Sequence, residues 1–181
     1  METDTQSTDL AHGVFYGGCY TITNQAGEKL GHMKNSPWAY LEFGERATTF
    51  RICDNLGDCT IEHKEDQQLR DRARFWLFDT EGNDYEKDGS FIAANSAPFG
   101  SNLAMYPAAG AYKYYVNFWA ENINKDPNLG PSPVKLHIDN LRDQKGTKTQ
   151  TNKQFTVSQT DDTVIVTFDE VKCPRQFIDE L

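Results

Sequence analysis

From Phe15 onward, short runs that alternate apolar or β-branched residues with polar ones are separated by clusters of Gly, Pro, Asn and Asp. That rhythm of two predicts strands, because successive side chains of an extended chain point to opposite faces. Residues 19–23, 29–33, 38–43 and 48–53 form four such runs, broken at 24–27, 35–37 and 44–46. Further runs occupy 74–78, 89–93, 102–106 and 112–119, and then 134–138, 154–158 and 163–168. The last two are joined by Gln159-Thr-Asp-Asp162, which reads as a hairpin turn. Residues 122–133 are a Pro/Gly/Asn loop, and 142–152 are polar without a strand signal. One segment differs. Residues 62–74 (EHKEDQQLRDRAR) contain no β-branched residue, Gly or Pro, so a short helix is predicted there, with a thin apolar stripe and a solvated charged face. Residues 1–12 are polar and read as a flexible N-terminal tail, leaving 13–181 as a single β-rich domain.

The runs fall into three units, 19–53, 75–119 and 134–168, each opening on a strand and closing on an aromatic-bearing strand. In the first, YTITNQAGEKLGH…WAYLEF…ATTFRI resembles one lobe of a β-trefoil of the ricin-B-type or fascin-like lectin repeats. In the second, GSFIAANSAPFGSNLAMY resembles the middle two strands of such a lobe. The third departs from the pattern: GTKTQTN (146–152) lacks the Leu or Tyr that a second strand would bury, and no Gln-x-Trp signature occurs. The resemblance implies a β-trefoil with a carbohydrate-binding function. The strand pattern alone also admits a β-sandwich or jelly roll.

Composition supports a folded domain: 181 residues, 38% hydrophobic and 12% aromatic, enough for a real core. Acidic residues outnumber basic ones 27 to 18, a formal net charge of −9, which disfavours nucleic-acid partners without a basic patch. No apolar run is long enough to span a membrane, and METDTQSTDL lacks the features of a secretory signal. The expected location is therefore cytoplasmic, or outside the cell by a non-classical route. Four cysteines allow three pairings. Cys53 and Cys59 could face each other across a hairpin, and Cys19 and Cys173 could close the domain; the absent signal instead favours four reduced thiols packed as small apolar residues.

No nucleophile elbow, phosphate-binding loop, dinucleotide glycine pattern or His-Glu-x-x-His motif is present, so a non-catalytic protein without a cofactor is expected. The densest cluster of hard oxygen donors is Asp79, Glu81, Asn83, Asp84 and Asp88, candidate ligands for calcium, although the loop fails the EF-hand positions for Gly and the final Glu. Aromatics beside amide and carboxylate loops suit sugars, whose C–H face stacks on a ring while Asn and Asp take the hydroxyls. Trp38, Tyr40, Trp119, Asn122 and Asn124 are the candidates for that role. The reading is a carbohydrate-binding lectin; its alternative is a β-scaffold protein-binding module, a protease inhibitor or toxin component, presenting its long loops to a partner. The partner is thus a glycan or a protein, and the sequence leaves the oligomeric state open.

Overall fold

The computed structural model describes residues 13–57, 59, 68–94, 104–108, 114–130, 132–139 and 144–174. These carry twelve strands: β1 (Cys19–Asn24), β2 (Lys29–His32), β3 (Leu41–Gly44), β4 (Phe50–Cys53), β5 (Arg74–Asp79), β6 (Ser90–Ala94), β7 (Met105–Pro107), β8 (Phe118–Asn122), β9 (Val134–Ile138), β10 (Gly146–Thr149), β11 (Phe155–Ser158) and β12 (Val164–Val171). All their pairings are antiparallel. β1 pairs with β12, β12 with β9, β9 with β8, β8 with β5, β5 with β4, and β4 returns to β1. Six strands thereby close into a barrel. The other six form three hairpins, β2–β3, β6–β7 and β10–β11.

Each of three successive four-strand units supplies two barrel strands and one hairpin, which is the β-trefoil. Closure rules out the sandwich and jelly-roll alternatives, whose two sheets keep separate edges. Hairpin edges are covered by one another: Glu42 bridges to Gln154 and Ala104 to Thr156, so β11 lies between the other two hairpins.

Alternation in the sequence becomes alternation of burial. Along β5, Phe75, Leu77 and Asp79 point inward while Arg74, Trp76 and Phe78 do not. Inside the barrel, Phe75 stacks on Phe118 and meets Phe168 edge-on, and Phe168 in turn meets Tyr20 edge-on. Burying each such side chain contributes roughly 1.5–3 kcal/mol. The Tyr20 hydroxyl is not stranded there, since it accepts the Phe15 amide at 2.8 Å.

Three expectations are corrected. The helix is not found in the described part of its span: Gln68 bridges to Phe15, Arg70 bridges to Asn128, and β5 has begun by Arg74. Leu69 is fully buried, its amide donating to Val14 and its carbonyl accepting from Leu129, so extended pairing replaces helical bonds. Arg72 has a φ of 71°, incompatible with a helix. Residues 62–67 of that span, and the 1–12 tail, lie outside the described residues. The thiols are not reduced: Cys19 is bonded to Cys173 and Cys53 to Cys59. The β1–β12 register sets Cys19 opposite Val171, bringing the Cα atoms of Cys19 and Cys173 to 5.1 Å, a bondable separation. Finally, β10 crosses the stretch that read as featureless. Its buried Thr147 donates its hydroxyl to the Leu136 carbonyl and accepts the Val164 amide, a polar substitute for an apolar anchor.

Candidate functional site

Two irregular regions gather the sequence-selected residues. The first joins the β2–β3 connection to the turn after β5. Met33 donates its amide to the Tyr40 carbonyl, Ala39 to the Ser36 carbonyl and Tyr40 to the Ser36 hydroxyl, folding the connection on itself. Trp38 and Tyr40 are brought together through Tyr106 of β7, at ring-centroid distances of 6.2 and 5.0 Å respectively. Trp38 also stacks on Tyr85 at 4.3 Å with a 34° tilt. Trp38 is 46% exposed and Tyr85 65% exposed, so this stack forms a ledge facing solvent.

The acidic turn lies beneath. Asp79 is fully buried; its Oδ1 accepts the Glu81 and Gly82 amides, and its Oδ2 lies 2.7 Å from His32 Nε2. Burial holds the Asp79 carboxyl above the ordinary carboxylate range, against the opposing pull of His32 and of the two amides. Gly82 sits at φ 68°, where a Cβ would overlap the Glu86 carbonyl, so only glycine fits this turn. Asn83 clamps the region: its Oδ1 accepts the Tyr85 and Glu86 amides, and its Nδ2 donates to the Pro107 and Trp38 carbonyls. The Asp84 amide donates to the Pro37 carbonyl.

The five acidic-loop candidates therefore do not converge on one point. Asp79 faces His32, Glu81 pairs with Arg46 at 2.9 Å, Asn83 binds backbone, and Asp84 and Asp88 are exposed. Among the described residues, no group of three or more His, Cys, Asp or Glu side chains is placed to hold a metal ion. A cleft of about 820 Å³ opens beside the ledge, bordered by His32, Asn35, Pro37, Arg46, Asp84 and Lys87 among others.

The second region is the barrel face at β8 and the loop after it. Trp119 stacks nearly parallel on His137, 3.9 Å between centroids, with the Arg72 guanidinium 5.5 Å from its ring. Glu121 bonds both His137 (3.1 Å) and Arg72 (2.8 Å). Burial draws His137 below its ordinary value, with Glu121 opposing. Asn122 is a brace: its Nδ2 donates to the carbonyls of Asp126 (2.5 Å) and Asn128 (2.9 Å), while its amide donates to Asp71 Oδ1 (2.7 Å). Asn128 donates back to Asp126 Oδ1, and the Asp126 amide to the Asn124 carbonyl. Above this brace, Ile123, Asn124, Lys125 and Asp126 are exposed, Ile123 at 47%. Trp119, Asn122 and Asn124 thus share this region, and no ring contact joins them to Trp38 or Tyr40.

Sequence reasoning missed Tyr106, the His32–Asp79 pair and Lys125. An Asn three residues before Glu86, with glycines on either side of the turn, was a readable signal for the Asn83 clamp. His32–Asp79 and Tyr106 depend on strands distant in sequence.

No family model matches the chain, and no curated protein does. Solved structures match the fold. The double-headed arrowhead protease inhibitor A, solved in complex with two trypsins, superposes with a TM-score of 0.56 at 11% identity, over 86% of this chain and 90% of that one. Winged bean albumin 1 superposes with a TM-score of 0.58 at 16% identity, over 87% of this chain and 94% of that one. At such identities the likeness is one of fold.

Proposed function

We propose that this chain is a non-catalytic β-scaffold protein that binds a protein partner through the 123–127 loop, and that the partner is a protease. The observation that carries the reading is the Asn122 brace, which fixes two loop carbonyls beneath an exposed tip. A tip already held in one shape loses little conformational entropy on docking, so more of its contact energy becomes affinity. Lys125 extends from that tip into solvent, a side chain suited to a primary pocket lined by a carboxylate. The arrowhead inhibitor supports the reading, being a protein of this fold that holds trypsins. Two disulfides favour an oxidising location, and hence release from the cell over the cytoplasm.

Titration of trypsin with the purified chain tests this. Inhibition saturating at a fixed stoichiometry, weakened at least about tenfold by Lys125→Ala, is expected of a loop whose tip is the anchor. A folded chain that leaves trypsin and a panel of other serine and cysteine proteases fully active would sink the proposal. Saccharide binding is a second reading, favoured by one observation: the solvent-facing Trp38/Tyr85 stack.

A further inference from the structure

We infer that the Trp38/Tyr85 ledge and its neighbouring cleft form a stacking site for a neutral pyranose oligosaccharide, an inference that rests on the saccharide reading and is independent of the protease-binding loop.

Four large hydrophobic side chains are exposed among the described residues, Trp38, Tyr85, Tyr114 and Ile123, and two of them are stacked together. Leaving an indole and a phenol open to water forfeits the stabilisation that burial would bring, so their outward placement asks for a reason. The backbone holds them there against its own preference. Ala39, immediately after Trp38, has a φ of 60°, and Asn35 has 57°. Asparagine tolerates that region through local hydrogen bonding; alanine has no such compensation and is strained there. Ala39 is itself buried, its amide tied to Ser36, and the Asn83 carboxamide anchors the Trp38 carbonyl. Strain pinned from three sides beside an exposed ring is the signature of a preorganised contact surface.

The surroundings select the ligand. A pyranose offers an apolar C–H face to an aromatic ring and a rim of hydroxyls to amides and carboxylates. The ledge supplies ring faces, and the adjoining cleft supplies the exposed polar groups of Asn35, Asp84 and Lys87. Lys34, Arg46 and Lys87 are set against Glu81 and Asp84, with Arg46 and Glu81 paired, so neither sign of charge dominates and a neutral ligand is favoured. At about 820 Å³ the cleft is of the size that takes a multi-ring ligand, so an oligomer is expected over a single sugar.

The test is a glycan array of neutral and charged oligosaccharides probed with the intact, oxidised chain, followed by tryptophan-fluorescence titration with the best-retained neutral glycan. Retention of neutral oligosaccharides is expected, weakened at least tenfold by Trp38→Ala and by Tyr85→Ala and largely restored by Trp38→Phe. Trp119→Ala and Lys125→Ala should bind as the parent does. Tyr85 is mostly exposed, so its variant keeps the test valid if Trp38→Ala fails to fold. If neutral glycans are retained but neither ledge variant weakens them, the ledge assignment is overturned while the saccharide reading stands. If only charged glycans are retained, the ligand class is wrong. A blank array from the folded chain overturns both, and trypsin titration of the same sample reports separately on the loop.

Discussion

The ledge and the loop solve one mechanical problem in two ways. Each is irregular backbone fixed by one asparagine carboxamide, Asn83 in the first and Asn122 in the second. Asn83 is buried and binds four backbone groups from three chain segments, so the ledge is assembled from distant pieces: the Trp38 connection, the Tyr85 turn and β7. Asn122 is half-buried and its carboxamide binds carbonyls four and six residues ahead, while its amide and the Pro127 carbonyl are both held by Asp71, so the loop is braced within itself and against one neighbouring segment. Both surfaces therefore rest on the barrel, but the ledge needs three segments held together locally and the loop two. The contrast suits the proposed roles: a ring surface whose spacing must be kept, and a protruding tip that need only hold its own shape.

The largest effect that should move both regions together is loss of the Cys19–Cys173 bond, which joins the start of β1 to the chain just past β12. On chain-entropy grounds, a cross-link spanning 154 residues of sequence is worth about 5 kcal/mol, against about 2 kcal/mol for the Cys53–Cys59 link spanning 6. Replacing both cysteines of the first pair by serine should lower chemical-denaturation stability by the larger amount and abolish ledge and loop binding at the same denaturant concentration. If the loop keeps its affinity after the ledge is lost, the barrel is not the shared frame.

Next in size are the braces themselves. Asn83→Ala removes the partner of the buried Pro107 carbonyl and of three part-buried backbone groups and should cost about 3 kcal/mol, with saccharide retention lost and trypsin inhibition kept. Asn122→Ala leaves its orphaned carbonyls near solvent and should cost about 1 kcal/mol, with the opposite functional pattern. Equal costs, or a functional loss that crosses between regions, would show that the two are coupled and break the comparison.

How far the sequence foretold this follows from where each signal resides. β1 to β6, β9, β11 and β12 were legible, as was the start of β8 at the end of the 112–119 run, because each alternates or is densely apolar within its own few residues. The three-unit division was legible for the same reason, since every unit begins and ends on such a strand. β10 was not: its anchor is Thr147, whose place in the core depends on Leu136 and Val164, strands away. The expected helix failed likewise. Residues 68–74 suit a helix by composition, but Leu69 is held between Val14 and Leu129, contacts no local pattern announces. At the sites, Trp38, Tyr40, Trp119, Asn122 and Asn124 stand out in the sequence by residue type, while their division between two regions is set by the fold. Asn83, read as an oxygen donor for a cation, and Asn122, read as a ligand contact, both brace backbone, a role set by which carbonyls and amides the fold brings within 3 Å or so.

The smallest effect separates the regions by the sign of their pH response. Asp79 in the folded chain lies above its ordinary value of 3.8 because burial penalises its charge. A raised group contributes stability that is whole below the unfolded value and is lost as pH climbs through the folded one, so the ledge side weakens on the alkaline side of pH 3.8. His137, drawn below 6.5 by burial, behaves in the reverse sense: its contribution is whole above pH 6.5 and is lost as pH falls through the lowered value. Asp79→Asn keeps an acceptor for the Glu81 and Gly82 amides but cannot ionise, so its stability should fall less than the parent's as pH rises. His137→Phe keeps a ring against Trp119 but cannot take a proton, so its stability should fall less than the parent's on acidification. Thermal melts of both variants across pH 3 to 8, each compared with the parent, read the two slopes. Curves parallel to the parent in either variant would show that the group does not govern its region, and slopes of the same sign would remove the electrostatic half of the contrast.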